Sequence, residues 1–163
     1  MHAQTDTPVI RYLIQENIPF RLFRHPRPIH SLEQAAAERG QNPDQVVRSI
    51  VFRTGANQFI MVLIPGPRQV SWPALRQYLG QSRLTMASEE EVLAVTRYKT
   101  GAVSPFGLPA PMRVLVDDSL MKQSEISIGS GERGLTVIMK TEDLLRALGQ
   151  YELGQFVGEK TPG

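Results

Sequence analysis

The stretch Gly101-Ala102-Val103-Ser104-Pro105-Phe106-Gly107 decides how this chain is read. It stands between an acidic helical segment ending near Val95 and an apolar run at Arg113–Asp117. Two glycines bracket a Ser-Pro step, so the backbone can take positive φ at either end. Pro105 fixes its own φ and pushes Ser104 out of the helical region. A stiff bend of this kind can gather several backbone N–H groups at one point. That suits an anion, a developing oxyanion or a ligand carbonyl. The same composition also suits an ordinary Gly/Pro turn.

Downstream, Arg113–Val116, Glu125–Gly129 and Leu135–Met139 read as strands. The last two flank Gly129-Ser130-Gly131-Glu132-Arg133-Gly134, which lacks the spacing of a dinucleotide fingerprint and reads as a hairpin turn. Thr141 is expected to cap a closing helix through Leu148, and the Thr161–Gly163 tail is expected to be loose. Upstream, Ser88-Glu89-Glu90-Glu91 opens a helix with a capping residue and acids that favour its N-terminal dipole. Ser71-Trp72-Pro73 starts a short helix closed by Gly80, and Leu84–Met86 reads as a short strand.

Val46–Arg53 and Gln58–Ile64 form a hairpin around Thr54–Asn57. The second arm is apolar on both faces, which places it at the centre of a sheet covered on two sides. Thr7-Pro8 opens a first helix that stops before Pro19. Phe20–His25 alternates as a strand with Phe20 and Leu22 on one face, and Ser31 caps a second helix through Arg39. Helices at the start, middle and end around about six or seven strands give an α+β fold. The reading is one domain over residues 1–163, with its core at about 8–150.

Composition bounds the chemistry. A chain of 163 residues with 41% hydrophobic and 21% charged content is an ordinary globular domain. Cysteine is absent, which excludes disulfides, thiolate metal sites and a cysteine nucleophile, and fits a reducing cytoplasm. Met1–Thr7 is polar with no apolar stretch after it, and the longest apolar run, Phe59–Ile64, is too short to span a membrane. A cytoplasmic protein with no membrane partner is expected. A formal net charge of +2 argues against a general nucleic-acid binder while permitting local contact with phosphate. His25 and His30 stand across two prolines with no acid cluster beside them, so neither metal nor cofactor is expected. Nor does the spacing of Ser104, His25 and Asp117 support a catalytic triad.

Arg48 is the charged residue of Val46-Val47-Arg48-Ser49-Ile50-Val51, an otherwise apolar strand. Arginine is seldom buried without a partner, so Arg48 is read as facing a cleft, pairing with an acid or lying at an edge. Its planar fork can engage a phosphate through two bonds.

The ordered set Arg48 in Val-Val-Arg-Ser-Ile-Val, then Gly101 to Gly107, then Val114-Leu-Val-Asp117, then Ile128-Gly-Ser-Gly131, resembles the YbaK / prolyl-tRNA synthetase-associated domain family. The likeness covers roughly residues 8–150, with His25 and Ala35-Ala-Ala37 in the helix–strand–helix opening. It implies a compact α+β fold with a mixed, barrel-like sheet. It also implies hydrolysis of wrongly charged aminoacyl-tRNA by a free-standing domain acting in trans, with an aminoacyl-tRNA synthetase as a further partner. In such proteins the Gly-x-x-x-Pro loop, here Gly101 to Pro105, lies by the aminoacyl ester, and a strand lysine reaches the terminal adenosine.

The implied catalytic residues are therefore Gly101, Ser104 and Pro105. The implied substrate-binding residues are Arg48, His25, Ala102, Val103 and Gly129. Arg48 falls on the lysine position, and Thr96-Arg97-Tyr98 stands where many relatives have Thr-Gly-Tyr. An aminoacyl ester is already activated, so holding it, orienting water and stabilising the oxyanion suffice, and backbone N–H groups can do the last. The alternative is a catalytically silent relative that binds a nucleotide, a tRNA 3′ end or a synthetase. A plain RNA-binding module fits less well, because aromatics do not interleave with a basic stripe.

Overall fold

The computed structural model describes residues 6–158. The chain begins with α1 (Pro8–Gln15), β1 (Arg21–Arg24) and α2 (Leu32–Glu38), followed by the hairpin β2 (Val47–Gly55) and β3 (Gln58–Pro65). Next come α3 (Trp72–Leu79), β4 (Thr85–Met86), α4 (Glu89–Thr96) and β5 (Arg113–Asp117). The chain closes with β6 (Glu125–Gly129), β7 (Leu135–Lys140), α5 (Thr141–Leu148) and β8 (Glu152–Gly154).

Helix starts follow short polar side chains that take up orphan N–H groups. Thr7 Oγ1 accepts from Ile10 N at 3.2 Å with Pro8 as the first helical residue, and Ser31 Oγ accepts from Gln34 N at 3.0 Å. Ser71 caps α3, and Ser88 with Glu91 forms a capping box on α4. The last helix departs from the sequence reading. Lys140 occupies the cap position, and Thr141 is the first helical residue, its hydroxyl donating to the Gln123 carbonyl. Because β7 runs straight into α5, that hydroxyl ties the helix start to the turn before β6 instead of capping the helix.

The fold is α+β, as expected, but its strands form two sheets and not the one barrel-like sheet that the family resemblance implies. β1, β7 and β6 make a three-stranded antiparallel sheet, and β4-β2-β3-β5-β8 make a mixed one in which β5 runs parallel to β3 and β8. No closed barrel forms. β4 covers only Phe52 and Arg53, so the first half of β2 is an open edge. An isolated parallel bridge, Val46 to Ser127, is what joins that edge to β6. Beyond it the two sheets part, and the gap between them becomes the cleft described below.

β3 is the sheet's centre, as its two-faced apolar pattern indicates. Met61 and Leu63 enter the core between the sheets, while Ile60, Val62 and Ile64 pack under Leu75 of α3 and Phe156. Residues 60–64 are all at most 4% exposed, and each such side chain contributes about 1.5–3 kcal/mol of burial free energy. The pleat of β2 divides in the same way. Val47 and Val51 face the inter-sheet core, whereas Ile50 and Phe52 face the outer cluster. Leu22 is 39% exposed, so alternation in β1 does not translate into burial on an outer strand. No helix among the described residues is long and apolar enough to cross a membrane. The expected loose tail Thr161–Gly163 lies outside the described residues.

Candidate active site

A cleft of about 680 Å³ runs along the open edge of β2, between it, the end of β6 and the loop after α4. Its walls are mostly apolar, with Ile29 and Leu32 on one side and Met86 to Val92 on another. Gly101, Val103, Gly129 and Arg48 all line it, so the structure brings these four sequence-predicted residues to one cavity.

The Gly101–Pro105 loop is clamped from behind. Gly101 has φ +93°, the left-handed region that favours glycine. Ala102 N–H donates to the Lys99 carbonyl at 2.9 Å, and Gly131 N–H donates to the Ala102 carbonyl at 2.9 Å. Gly129 lets the loop lie backbone against backbone, since a Cβ there would sit 2.1 Å from the Val103 oxygen. Phe106 stacks on Tyr12 at 5.6 Å, and Tyr98 Oη donates to the Phe106 carbonyl at 2.6 Å. Burial holds that phenol up at about 12, so it stays a donor. Among the described residues, the N–H groups of Gly101 and Val103 have no protein acceptor.

Ala102 and Ser104 are buried behind that face. Ser104 Oγ accepts from Phe106 N at 3.2 Å, so the hydroxyl shapes the turn, and Pro105 stiffens it. Asp117 is likewise occupied, accepting from Phe156 N at 2.7 Å and from Ser119. Neither side chain belongs to a triad.

Arg48 stands at the cleft rim on the outward-facing register of β2. Its Nε donates to the Gly66 carbonyl at 2.8 Å and its Nη2 to the Arg68 carbonyl. Nη1 has no protein acceptor among the described residues. Burial lowers the guanidinium's pKa from its usual value, and the carbonyls take two of its donor groups.

His25 lies beside the cleft, buried, with both ring nitrogens engaged. Arg39 Nη1 approaches Nε2 at 2.8 Å and Glu38 Oε1 approaches Nδ1 at 2.6 Å. Arginine can only donate, so Nε2 accepts and Nδ1 carries the proton to Glu38. The His25 contact holds the Glu38 carboxyl below its usual pKa, with Gln34 adding to it. Arg39 also donates to Ser127 Oγ at 2.9 Å, and burial brings its pKa down to about 10. The sequence reading missed Arg39, which ends a helix, and Ser49, whose buried hydroxyl has no hydrogen-bond partner among the described residues. Both line the cleft, and only the tertiary fold places them there.

A second lobe of about 590 Å³ adjoins the cleft and shares Ile29, Gly101 and Gly134 with it. Among the described residues, no group of three His, Asp or Glu side chains is placed to hold a metal ion.

Known proteins carry the same domain. The chain is 29% identical over 152 residues to the multifunctional Ser/Thr-tRNA deacylase ProXp-y of Escherichia coli (strain K12), covering 91% of this chain and 90% of that one. It is 26% identical over 141 residues to the prolyl-tRNA editing protein ProX of Acetoanaerobium sticklandii, covering 83% and 85%. It also aligns with 18% of the proline–tRNA ligase of Thermosipho africanus, 30% identical over 105 residues. A crystal structure described as a candidate trans-editing enzyme for prolyl tRNA synthetase superposes with TM-score 0.82 at 21% identity, covering 94% of this chain and 99% of that one. The profile of the aminoacyl-tRNA editing domain matches residues 26–147, and the chain belongs to that family.

Proposed function

We propose that this protein hydrolyses the ester bond of mischarged aminoacyl-tRNA, acting in trans in the cytoplasm alongside an aminoacyl-tRNA synthetase. The observation that carries the reading is the clamped loop, whose Gly101 and Val103 line an apolar cleft and have N–H groups with no protein acceptor among the described residues. Water adds to the ester carbonyl, and the resulting oxyanion accepts from those N–H groups. Collapse breaks the bond to the ribose oxygen, which takes up a proton, and frees the amino acid. Donors already fixed in place need no reorganisation as charge develops, and the apolar walls strengthen them. Gly129 sets the loop's position, and Ser104 and Pro105 set its shape. Arg48 meets the terminal adenosine or its phosphate through Nη1, at the rim.

A panel of mischarged tRNAs, followed for release of the amino acid, tests the reading. Hydrolysis of at least one member above the uncatalysed rate is expected, and none on any member refutes it. A second reading, the silent binder, is favoured by the engagement of Arg48 Nε and Nη2 with protein carbonyls. It requires that aminoacyl-tRNA binds and that its ester survives.

A further inference from the structure

The lobe that adjoins the cleft differs from it in chemistry. Its lining carries Arg24, Arg27 and Arg133 beside the buried His25, and no carboxylate. Acids nearby offset part of this charge. Glu132 pairs with Arg24 at 2.7 Å, while Glu38 is spent on His25 and also feels Arg27. Arg27 is exposed and has no hydrogen-bond partner in the protein among the described residues. Arg133 donates through Nε to the Thr100 carbonyl at 2.8 Å, which fixes its stem next to Gly101. Its terminal nitrogens have no protein acceptor among the described residues. In a chain whose formal net charge is only +2, this is a local concentration of positive charge beside the loop.

We propose that this lobe is the track for the phosphodiester backbone of a single-stranded polynucleotide whose 3′ end occupies the cleft. The proposal rests on reading the cleft as the ester site. The lobe meets the cleft at Gly101, so a strand whose end lies in the cleft has a continuous path into the lobe past the loop. Guanidinium forks match phosphate oxygens in pairs, and a concave basic channel follows a backbone better than it follows a flat anionic surface. Arg27 and Arg133 supply the charge, and Arg24 is held in place by Glu132.

The test is anisotropy of a labelled, unacylated oligoribonucleotide ending in CCA, titrated with protein over a range of salt and compared with binding of adenosine 5′-monophosphate. Arg27→Gln and Arg133→Gln should each weaken strand binding about five- to tenfold and flatten the salt dependence by about 0.7 in log–log slope. Their effect on the mononucleotide should be smaller. Arg133→Lys keeps the charge but loses the bond to Thr100, and should retain most of the affinity. Wild-type affinity and slope in both glutamine variants would overturn the proposal. So would a loss in Arg133→Lys as large as in Arg133→Gln, because the residue would then act only by anchoring the loop. Equal, arginine-dependent binding to vesicles of anionic lipid would also overturn it. Because the strand carries no ester, the two readings fail separately. Arginine-dependent strand binding without hydrolysis of any aminoacyl-tRNA leaves the track and removes the deacylase. Hydrolysis with arginine-independent binding does the reverse.

Discussion

Gly129→Ala isolates the position of the loop from every titrating side chain. Gly129 is not in the left-handed region, so alanine adds no backbone strain there. The new Cβ, however, would stand 2.1 Å from the Val103 oxygen and 3.0 Å from both the Val103 carbon and the Ala102 oxygen. Ordinary contact begins near 3.4 Å, so loop and strand must separate by about 1.3 Å. The obstacle is backbone, not the far end of a flexible side chain, so the separation is not absorbed locally. A misplacement of about 1 Å at reacting groups costs on the order of a hundredfold in rate. Overpacking of this kind costs about 1–3 kcal/mol of stability. Deacylation kinetics on the substrate found in the panel should therefore show kcat down about a hundredfold with KM changed little, since the oxyanion contact is made in the transition state. Melting should stay cooperative, with Tm lowered by a few degrees. Gly80→Ala is the control, because it combines φ +68° with open space away from the cleft and so adds strain without a clash. A Gly129→Ala enzyme with wild-type kcat, or one whose loss equals that of Gly80→Ala at matched stability, would refute the argument.

Arg48→Ala removes two hydrogen bonds to backbone carbonyls and should cost about 1–3 kcal/mol of stability in denaturant titrations. If Nη1 also meets the tRNA end, KM should rise about tenfold at equal folded fraction, with Arg48→Lys intermediate; an unchanged KM would make Arg48 a clamp alone. Arg97 sits at the end of α4 with φ +66°, so Arg97→Gly should raise stability by up to about 1 kcal/mol, read as a rise in Tm without change in activity. Glu152 accepts two bonds from Arg113 and one from Tyr78, and Arg113 chiefly holds its carboxyl down at about 2. A depressed carboxyl stabilises the fold above its unfolded pKa, near 4.5, and that contribution is lost as pH falls toward 2. The pair is solvent-exposed, so Glu152→Gln should cost only about 0.5–1 kcal/mol at neutral pH, and the cost should vanish near pH 2.

The parts legible in the sequence were those with local signals. Thr7, Ser31, Ser71 and Ser88 announce four helices because a cap acts on N–H groups a few residues away. The turn at Thr54–Asn57 and the two-faced run of β3 are equally local. β8 was not legible, because Glu152-Leu153-Gly154 has no period; it is fixed by parallel pairing with β5 and by the bond from Phe156 N to Asp117. The division into two sheets depends on β1 finding β7 across more than a hundred residues, which no spacing reveals. The site divides along the same line. The Gly-x-x-x-Pro loop could be read from its composition, and Arg48 from being charged in an apolar strand. That Arg48 grips the turn after β3, that Ser104 faces inward and that His25 orients Arg39 all follow from tertiary contacts.

The pleat of β2 has a consequence for how such a domain can diversify. Odd-numbered positions from Val47 to Val51 face the space between the sheets, where Val47 and Val51 belong to the core, while Ile50 and Phe52 belong to the packing beneath α3. Ser49 lines the cleft and is a member of neither cluster. It is the position on this strand where a new side chain changes what the cleft accepts with the least disturbance of what holds the sheets together.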